Sequence, residues 1–127
     1  MTGCAGFIGS NLSHYFSSLN DSHILEKSCN VVGIDNLERG FPKWLESHKK
    51  RNDFVFMDSD ISEIFDFGNS DFIIHAASIA SPTYYRKKPI ETMDANVGGI
   101  RNILQHCVDR EVESVVWQLC NDIQTGF

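Results

Sequence analysis

Gly3, Gly6 and Gly9 stand three residues apart in Thr2-Gly-Cys-Ala-Gly-Phe-Ile-Gly-Ser10. No other feature constrains the chain as much. The spacing G-x-x-G-x-x-G at the start of a helix suits a loop whose backbone lies against a diphosphate, where a β-carbon has no room. The helix that follows offers free N–H groups and the positive end of its dipole. Ile8, Leu12, Tyr15, Phe16 and Leu19 recur at three- and four-residue steps and mark one apolar face of that helix, to about Leu19. Asn20-Asp21-Ser22 ends it in turn chemistry.

Asn30 to Asp35 is the next element, a short apolar run closing on an acid, and reads as a buried strand. A carboxylate at that strand end accepts both hydroxyls of an adenine ribose and repels a 2′-phosphate, which favours NAD over NADP. Arg39, four residues on, argues the other way. Taken alone, the glycines also suit ordinary turns, and Asp35 also suits a helix cap; loop, helix and strand-terminal acid in succession point to a dinucleotide site.

The remaining elements follow the same alternation. Pro42 in Phe41-Pro42-Lys43-Trp44 starts a helix. Asp53–Met57, Asp71–His75 and Ser114–Leu119 are strands, and Ala76–Pro82 is a loop of small residues. Met93, Val97, Ile100, Leu104 and Cys107 or Val108 predict a long helix over about Ile90–Asp109. Gly98 and Gly99 inside it cost about 1 kcal/mol each against alanine, so packing or a ligand is expected to require them. Strands alternating with helices imply an α/β fold with a parallel sheet covered on both faces.

At 127 residues the chain is one domain. Its net charge of -6 argues against a nucleic-acid surface. The one basic cluster, Lys49-Lys50-Arg51, reads as solvated charge after a helix. Cys4, Cys29, Cys107 and Cys120 form no CxxC pair and no zinc spacing, which fits a reducing, cytoplasmic setting. No apolar run is long enough to span a bilayer and no signal peptide is evident, so no membrane partner is expected.

Thr2–Ser10, Ile34-Asp35-Asn36, Asp58-Ser59-Asp60-Ile61 and His75-Ala76-Ala77-Ser78 occur in the order found in the extended short-chain dehydrogenase/reductases, the NAD-dependent epimerase/dehydratase group. Ala80-Ser81-Pro82, Tyr85, Pro89-Ile90, Thr92, Asn96, Gly99, Asn102 and Leu104 resemble, without a gap, a segment of the UDP-glucuronate decarboxylases. dTDP-glucose 4,6-dehydratases share parts of it. The resemblance implies a Rossmann-type doubly wound sheet and the cofactor NAD. It places Gly3, Gly6, Phe7, Ile8 and Gly9 at the pyrophosphate, Asp35 and Asn36 at the adenosine ribose, and Asp60 and Ile61 at the adenine. Ala76, Ala77 and Ser78 would lie along the cofactor, Asn96 beneath the nicotinamide, and Tyr85 towards the sugar acid. The residues themselves leave other readings open: Tyr84 and Tyr85 as surface packing, Asn96 as a loop anchor, His75 as a strand-end core histidine.

Such enzymes oxidise the sugar at C4 with tightly held NAD, and a 4-keto uronate then loses carbon dioxide as a β-keto acid. The resemblance implies a nucleotide-sugar substrate and a possible homodimer. The family's proton-abstracting base is a tyrosine in Tyr-x-x-x-Lys, beyond the last strand. That base is expected to be missing: no Tyr-x-x-x-Lys is expected anywhere in the chain, and Gln118–Phe127 contains neither tyrosine nor lysine. Cys120 falls on the family's Ser/Thr position, with nothing nearby in sequence to activate its thiol. The family also places a strand before the glycine loop, where this sequence has only Met1. The expectation is therefore a partial NAD-binding Rossmann domain over 1–127 that lacks its first strand, its C-terminal portion and a substrate domain. The strands on either side of the missing one are expected to lose their inner neighbour. An NAD-binding module without catalysis, and a remnant without function, remain alternatives.

Overall fold

The computed structural model describes residues 1–63, 66–78 and 86–117. Helix α1 spans Phe7–Asp21 and strand β1 Val31–Asp35. A 3₁₀ helix covers Lys43–Lys50, followed by β2, Phe54–Asp58, and β3, Phe72–His75. Helix α2, Pro89–Met93, runs through a π-helical turn, Asp94–Gly98, into α3, Gly99–Arg110. Strand β4 is Ser114–Trp117. Proline at the start of α2 meets no cost, because the first helical N–H has no partner within the helix.

β1 pairs in parallel with β2, and β3 in parallel with β4. Thr2 joins the two pairs, bridging Ile34 on one side and His75 on the other. Ile34 N donates to Met1 O at 2.9 Å and Gly3 N to Ile34 O at 2.8 Å; across the slot Thr2 N donates to Ile74 O at 2.9 Å and Ala76 N to Thr2 O at 3.0 Å. No strand precedes the glycine loop among the described residues, as expected, but β1 and β3 keep a neighbour at their C-terminal ends. Thr2 is the one residue that bridges each side, so the pairing reaches the C-terminal part of both facing edges and does not replace a full strand.

The faces are covered unequally. Thr2, Ile34 and His75 share one face, and alternation puts Val32, Val55, Met57 and Ile73 there too. α3 covers the β3 side of this face, where Ile61, Ile73 and Ile103 form the buried core with Val115 and Cys107 against it. Val32, Val55 and Met57 stay exposed. On the opposite face α1 and the 3₁₀ helix cover β1 and β2, with Cys4 against Gly33 and Leu45 fully buried, while Phe72 and Val116 are exposed. Among the described residues the parallel sheet is thus covered on diagonal halves of its faces, not on both faces throughout.

Two helix faces also differ from expectation. α1 buries Gly9, Ser10, Ser13 and Ser17, while Ile8, Leu12, Phe16 and Leu19 are half-buried and Tyr15 is exposed. Small residues let the helix axis approach the sheet, and two of the buried hydroxyls bond back to their own helix: Ser13 Oγ donates to Gly9 O at 2.9 Å and Ser10 Oγ to Phe7 O at 3.2 Å. On α2–α3 the expected single apolar face is two. Ile100 and Ile103 face the core, whereas Met93, Val97, Leu104 and Val108 form an exposed stripe.

The basic cluster is not loosely solvated. The Lys49 ammonium lies 3.8 Å from the centre of the Phe41 ring. The Arg51 guanidinium bonds Asp53 at 2.7 and 2.8 Å and Asp21 at 2.8 and 3.0 Å, clamping the end of α1 to the start of β2.

Candidate dinucleotide site

A cavity of about 770 Å³ opens at the C-terminal ends of β1, β2 and β3, beside the N-terminus of α1. This edge of a doubly wound sheet is where ligands bind, at the point where the strand order reverses. Gly3, Gly6, Phe7 and Ile8 form one wall, Asp35, Asn36, Asp60 and Ile61 the second, and Ala76, Ala77 and Ser78 the floor. The structure brings these residues together around one cavity. Gly9 and Asn96 are not in the cavity wall. Gly9 packs within the glycine loop, and Asn96 sits half-buried in the π turn, two residues beyond Asp94, which does line the cavity. Tyr84, Tyr85 and Cys120 lie outside the described residues.

The three glycines do different work. Gly3 has φ +70°, and a β-carbon there would lie 2.5 Å from the Ala76 carbonyl carbon and the Ala77 nitrogen. The loop is pressed against the end of β3, so only glycine fits. A β-carbon on Gly9 would lie 2.1 Å from Gly3 O, which holds the loop folded on itself. Gly6 is less crowded, with Gly3 O at 3.3 Å as its nearest neighbour. Gly6 is also the N-cap of α1, and no side chain bonds the free N–H groups of the first turn. An uncapped helix end facing a cavity is an anion site in waiting.

The acids opposite are held by hydrogen bonds. Asp35 Oδ2 accepts from Ala5 N in the glycine loop at 2.9 Å, and Oδ1 from Leu37 N at 3.0 Å. Asp60 Oδ1 accepts from Ser62 N at 2.8 Å and Ser62 Oγ at 2.7 Å; its Oδ2 accepts from Asn36 Nδ2 at 3.1 Å. Burial works against the Asp60 carboxylate, but the bonds from Ser62 and Asn36 outweigh it and hold its pKa below the ordinary range. Asn36 Oδ1 accepts from Glu38 N at 3.2 Å, so this side chain ties the loop after β1 to the loop after β2.

Charged residues that sequence reasoning passed over complete the wall. Glu38, Lys88, Glu91 and Asp94 line the cavity, and Lys88 Nζ lies 3.4 Å from Glu38 Oε1. Arg39 lines it too. Their signal was positional: each follows a strand or starts a helix at the same sheet edge. Lys88 carries a further correction. It stands four residues after Tyr84, so a Tyr-x-x-x-Lys spacing does occur in the chain, before α2 and not beyond β4 where the family's base is expected.

The remaining candidates are inert. Cys4 is fully buried, and burial, followed by the nearby Asp35 charge, pushes its thiol up to about 12. Burial also raises Cys29 and Cys107. His75 is buried, with Nδ1 2.6 Å from Thr2 Oγ1, and desolvation lowers its pKa to about 4. It is a neutral core histidine outside the cavity. Among the described residues no group of three or more His, Cys, Asp or Glu could hold a metal ion, and no helix is long and apolar enough to cross a membrane.

Known proteins resemble this chain in sequence and fold. The chain is 31% identical over 104 residues to UDP-glucuronic acid decarboxylase 4 of Arabidopsis thaliana, covering 82% of this chain and 21% of that protein. It is 28% identical over 137 residues to UDP-glucuronate 4-epimerase of Thermodesulfobacterium geofontis, covering 99% of this chain and 40% of that one. The chain thus spans well under half the length of these relatives. Its fold matches UDP-glucose-4-epimerase of Stenotrophomonas maltophila, solved with bound NAD and formylated UDP-arabinopyranose, at TM-score 0.69 and 25% identity over 91% of this chain and 34% of that one. It also matches dTDP-glucose 4,6-dehydratase of Streptomyces venezuelae at TM-score 0.72 and 22% identity, over 90% of this chain and 36% of that chain. The model of the NAD dependent epimerase/dehydratase family matches residues 1–120, and with a Rossmann-type α/β fold and a glycine-rich cavity at the expected sheet edge, the chain belongs to that family.

Proposed function

We propose that the chain binds NAD in this cavity and is the cofactor-binding part of a nucleotide-sugar enzyme of the UDP-glucuronate decarboxylase kind. One observation carries the reading: the uncapped N-terminus of α1 and Gly6 face a cavity whose opposite wall presents Asp35 at a strand end. The fit is direct. The open side of Gly6 leaves room for a diphosphate, the first-turn N–H groups of α1 donate to it, and Asp35 keeps acceptor lone pairs for ribose hydroxyls. NAD, when bound, supplies a hydride acceptor for oxidation of a sugar carbinol. Asp35, Glu38, Asp60, Glu91 and Asp94 line the cavity against two cations, Arg39 and Lys88. That balance disfavours the extra phosphate of NADP.

dTDP-glucose 4,6-dehydratase or UDP-sugar 4-epimerase chemistry is the alternative within the family. A catalytically silent NAD-binding module is the second alternative. A homodimer belongs to the same reading, supported by the exposed stripe Met93, Val97, Leu104 and Val108. Unpaired Cys4, Cys29 and Cys107 support a reducing, cytoplasmic setting.

Calorimetric titration with NAD and NADP tests the cofactor assignment, and release of labelled carbon dioxide from UDP-glucuronate tests turnover. NAD is expected to bind at least ten-fold more tightly than NADP, with no carbon dioxide released. Absence of NAD binding by the folded chain overturns the cofactor assignment; release of carbon dioxide overturns the silent module.

A further inference from the structure

Outside the cavity, two histidines meet between α1 and the 3₁₀ helix. His14 Nδ1 lies 3.4 Å from His48 Nε2, with ring centres 5.4 Å apart and planes at 69°. His14 is exposed, while His48 is buried. The edge of Trp44 packs on His14 at 5.9 Å between ring centres, and His48 packs on Phe54 of β2 at 6.1 Å. Ser47 Oγ is 3.5 Å from His48 Nδ1. The charged groups around His48 are His14 and Asp21 from α1, and Arg51 and Asp53 at the entry to β2.

Two facing ring nitrogens can share at most one hydrogen. With both rings neutral, one donates and the other accepts. With one ring protonated, an imidazolium donates to a neutral imidazole and the bond is stronger. With both protonated, two N–H groups and two positive charges oppose each other and the contact breaks. We infer that His14 and His48 form a proton-operated latch that holds α1 against the 3₁₀ helix with no proton or one proton added and releases it with the second.

The surroundings bear on His48. Burial, then the charge of His14, then Arg51 lower the pKa of His48 from its usual 6.5, while Asp53 and Asp21 oppose this. His48 therefore takes up its proton at a pH below that value. Of the two joined elements, α1 reaches the cavity through Phe7 and Ile8. α1 begins at the glycine loop, and the 3₁₀ helix follows the segment carrying Asn36, Glu38 and Arg39. The latch is distinct from the NAD assignment, since neither histidine lines that cavity.

Trp44 reports the state of His14, because a protonated imidazole quenches an adjacent indole. Its fluorescence is followed from pH 8 to 4.5 in the full chain carrying Trp117→Phe, with EDTA present. In parallel, nitrogen-15 spectra of the histidine rings are recorded on the unaltered chain, so the outcome does not depend on the variant folding. His48 is expected to take up its proton below its usual value, with a change in Trp44 emission in the same step. With His14→Gln the His48 midpoint moves upward, but stops short of 6.5 because burial remains. With His48→Gln that Trp44 step is lost. Independent titration of both rings near 6.5, or an acid step in Trp44 unchanged by both substitutions, overturns the latch. A change in the ring spectra on adding EDTA also overturns it, because the pair would then be holding a metal ion.

Discussion

A β-carbon on Gly9 would lie 2.1 Å from the carbonyl oxygen of Gly3. That relationship separates structural glycines from the one available to a ligand. Gly9→Ala and Gly3→Ala force backbone apart and are expected to cost about 2–3 kcal/mol each, read as a lower midpoint in urea unfolding. Gly6→Ala meets only an oxygen at 3.3 Å and is expected to fold nearly as well as the unaltered chain, yet to lose at least ten-fold in NAD affinity. Equal folding losses for all three would refute this division.

Gly98 and Gly99 divide in the same way. Nothing lies within 4 Å of a β-carbon on Gly98, so Gly98→Ala is expected to stabilise the chain by up to about 1 kcal/mol. A β-carbon on Gly99 would lie 2.9 Å from Ile61 Cγ2, and Ile61 is a stiff, buried core residue. Gly99→Ala is expected to bring no gain and to melt below Gly98→Ala.

The acid branch of stability is expected to fall in two windows. His75 has its folded pKa depressed to about 4, so the unfolded chain takes up its proton first. Its stabilisation is whole above about pH 6.5, and on the order of 3 kcal/mol of it is lost by pH 4; His48 adds to the same window with the same sign. Asp53 is held well below the carboxylate range, first by its bonds from Arg51. Its contribution is whole above the unfolded value of ~3.9 and is lost progressively as pH falls below that toward the folded value. Asp53→Asn should therefore flatten the lower window and leave the upper one in place, as read from melts between pH 3 and 8.

Asn36 and Asp60 act on a nucleotide as a unit if their 3.1 Å bond sets the rim of the cavity. Asn36→Ala, Asp60→Ala and the double variant are expected to lower NAD affinity non-additively, the second substitution costing less than it does alone. Strict additivity in calorimetric titrations would show that the bond does not position the site.

Much of this architecture was legible because it is local. The glycine spacing, the acid closing Val31–Asp35, and the period of the residues between Pro89 and Arg110 are written in adjacent residues, and the backbone follows them. The cavity wall was legible for a related reason: in a parallel sheet every strand ends at one edge, so Asp35, Asp60 and Ala76 had to converge there. Which face of a helix is buried was not legible. Periodicity shows where apolar side chains line up, but α1 approaches the sheet through Gly9, Ser10, Ser13 and Ser17, because closeness between backbones favours small volume over hydrophobicity. Tertiary structure alone placed Thr2 between Ile34 and His75, seated Lys88 opposite Glu38 across fifty positions, and set His14 against His48. Each pair is far apart in sequence and joined by short-range forces, so its existence depends on where the chain returns in space.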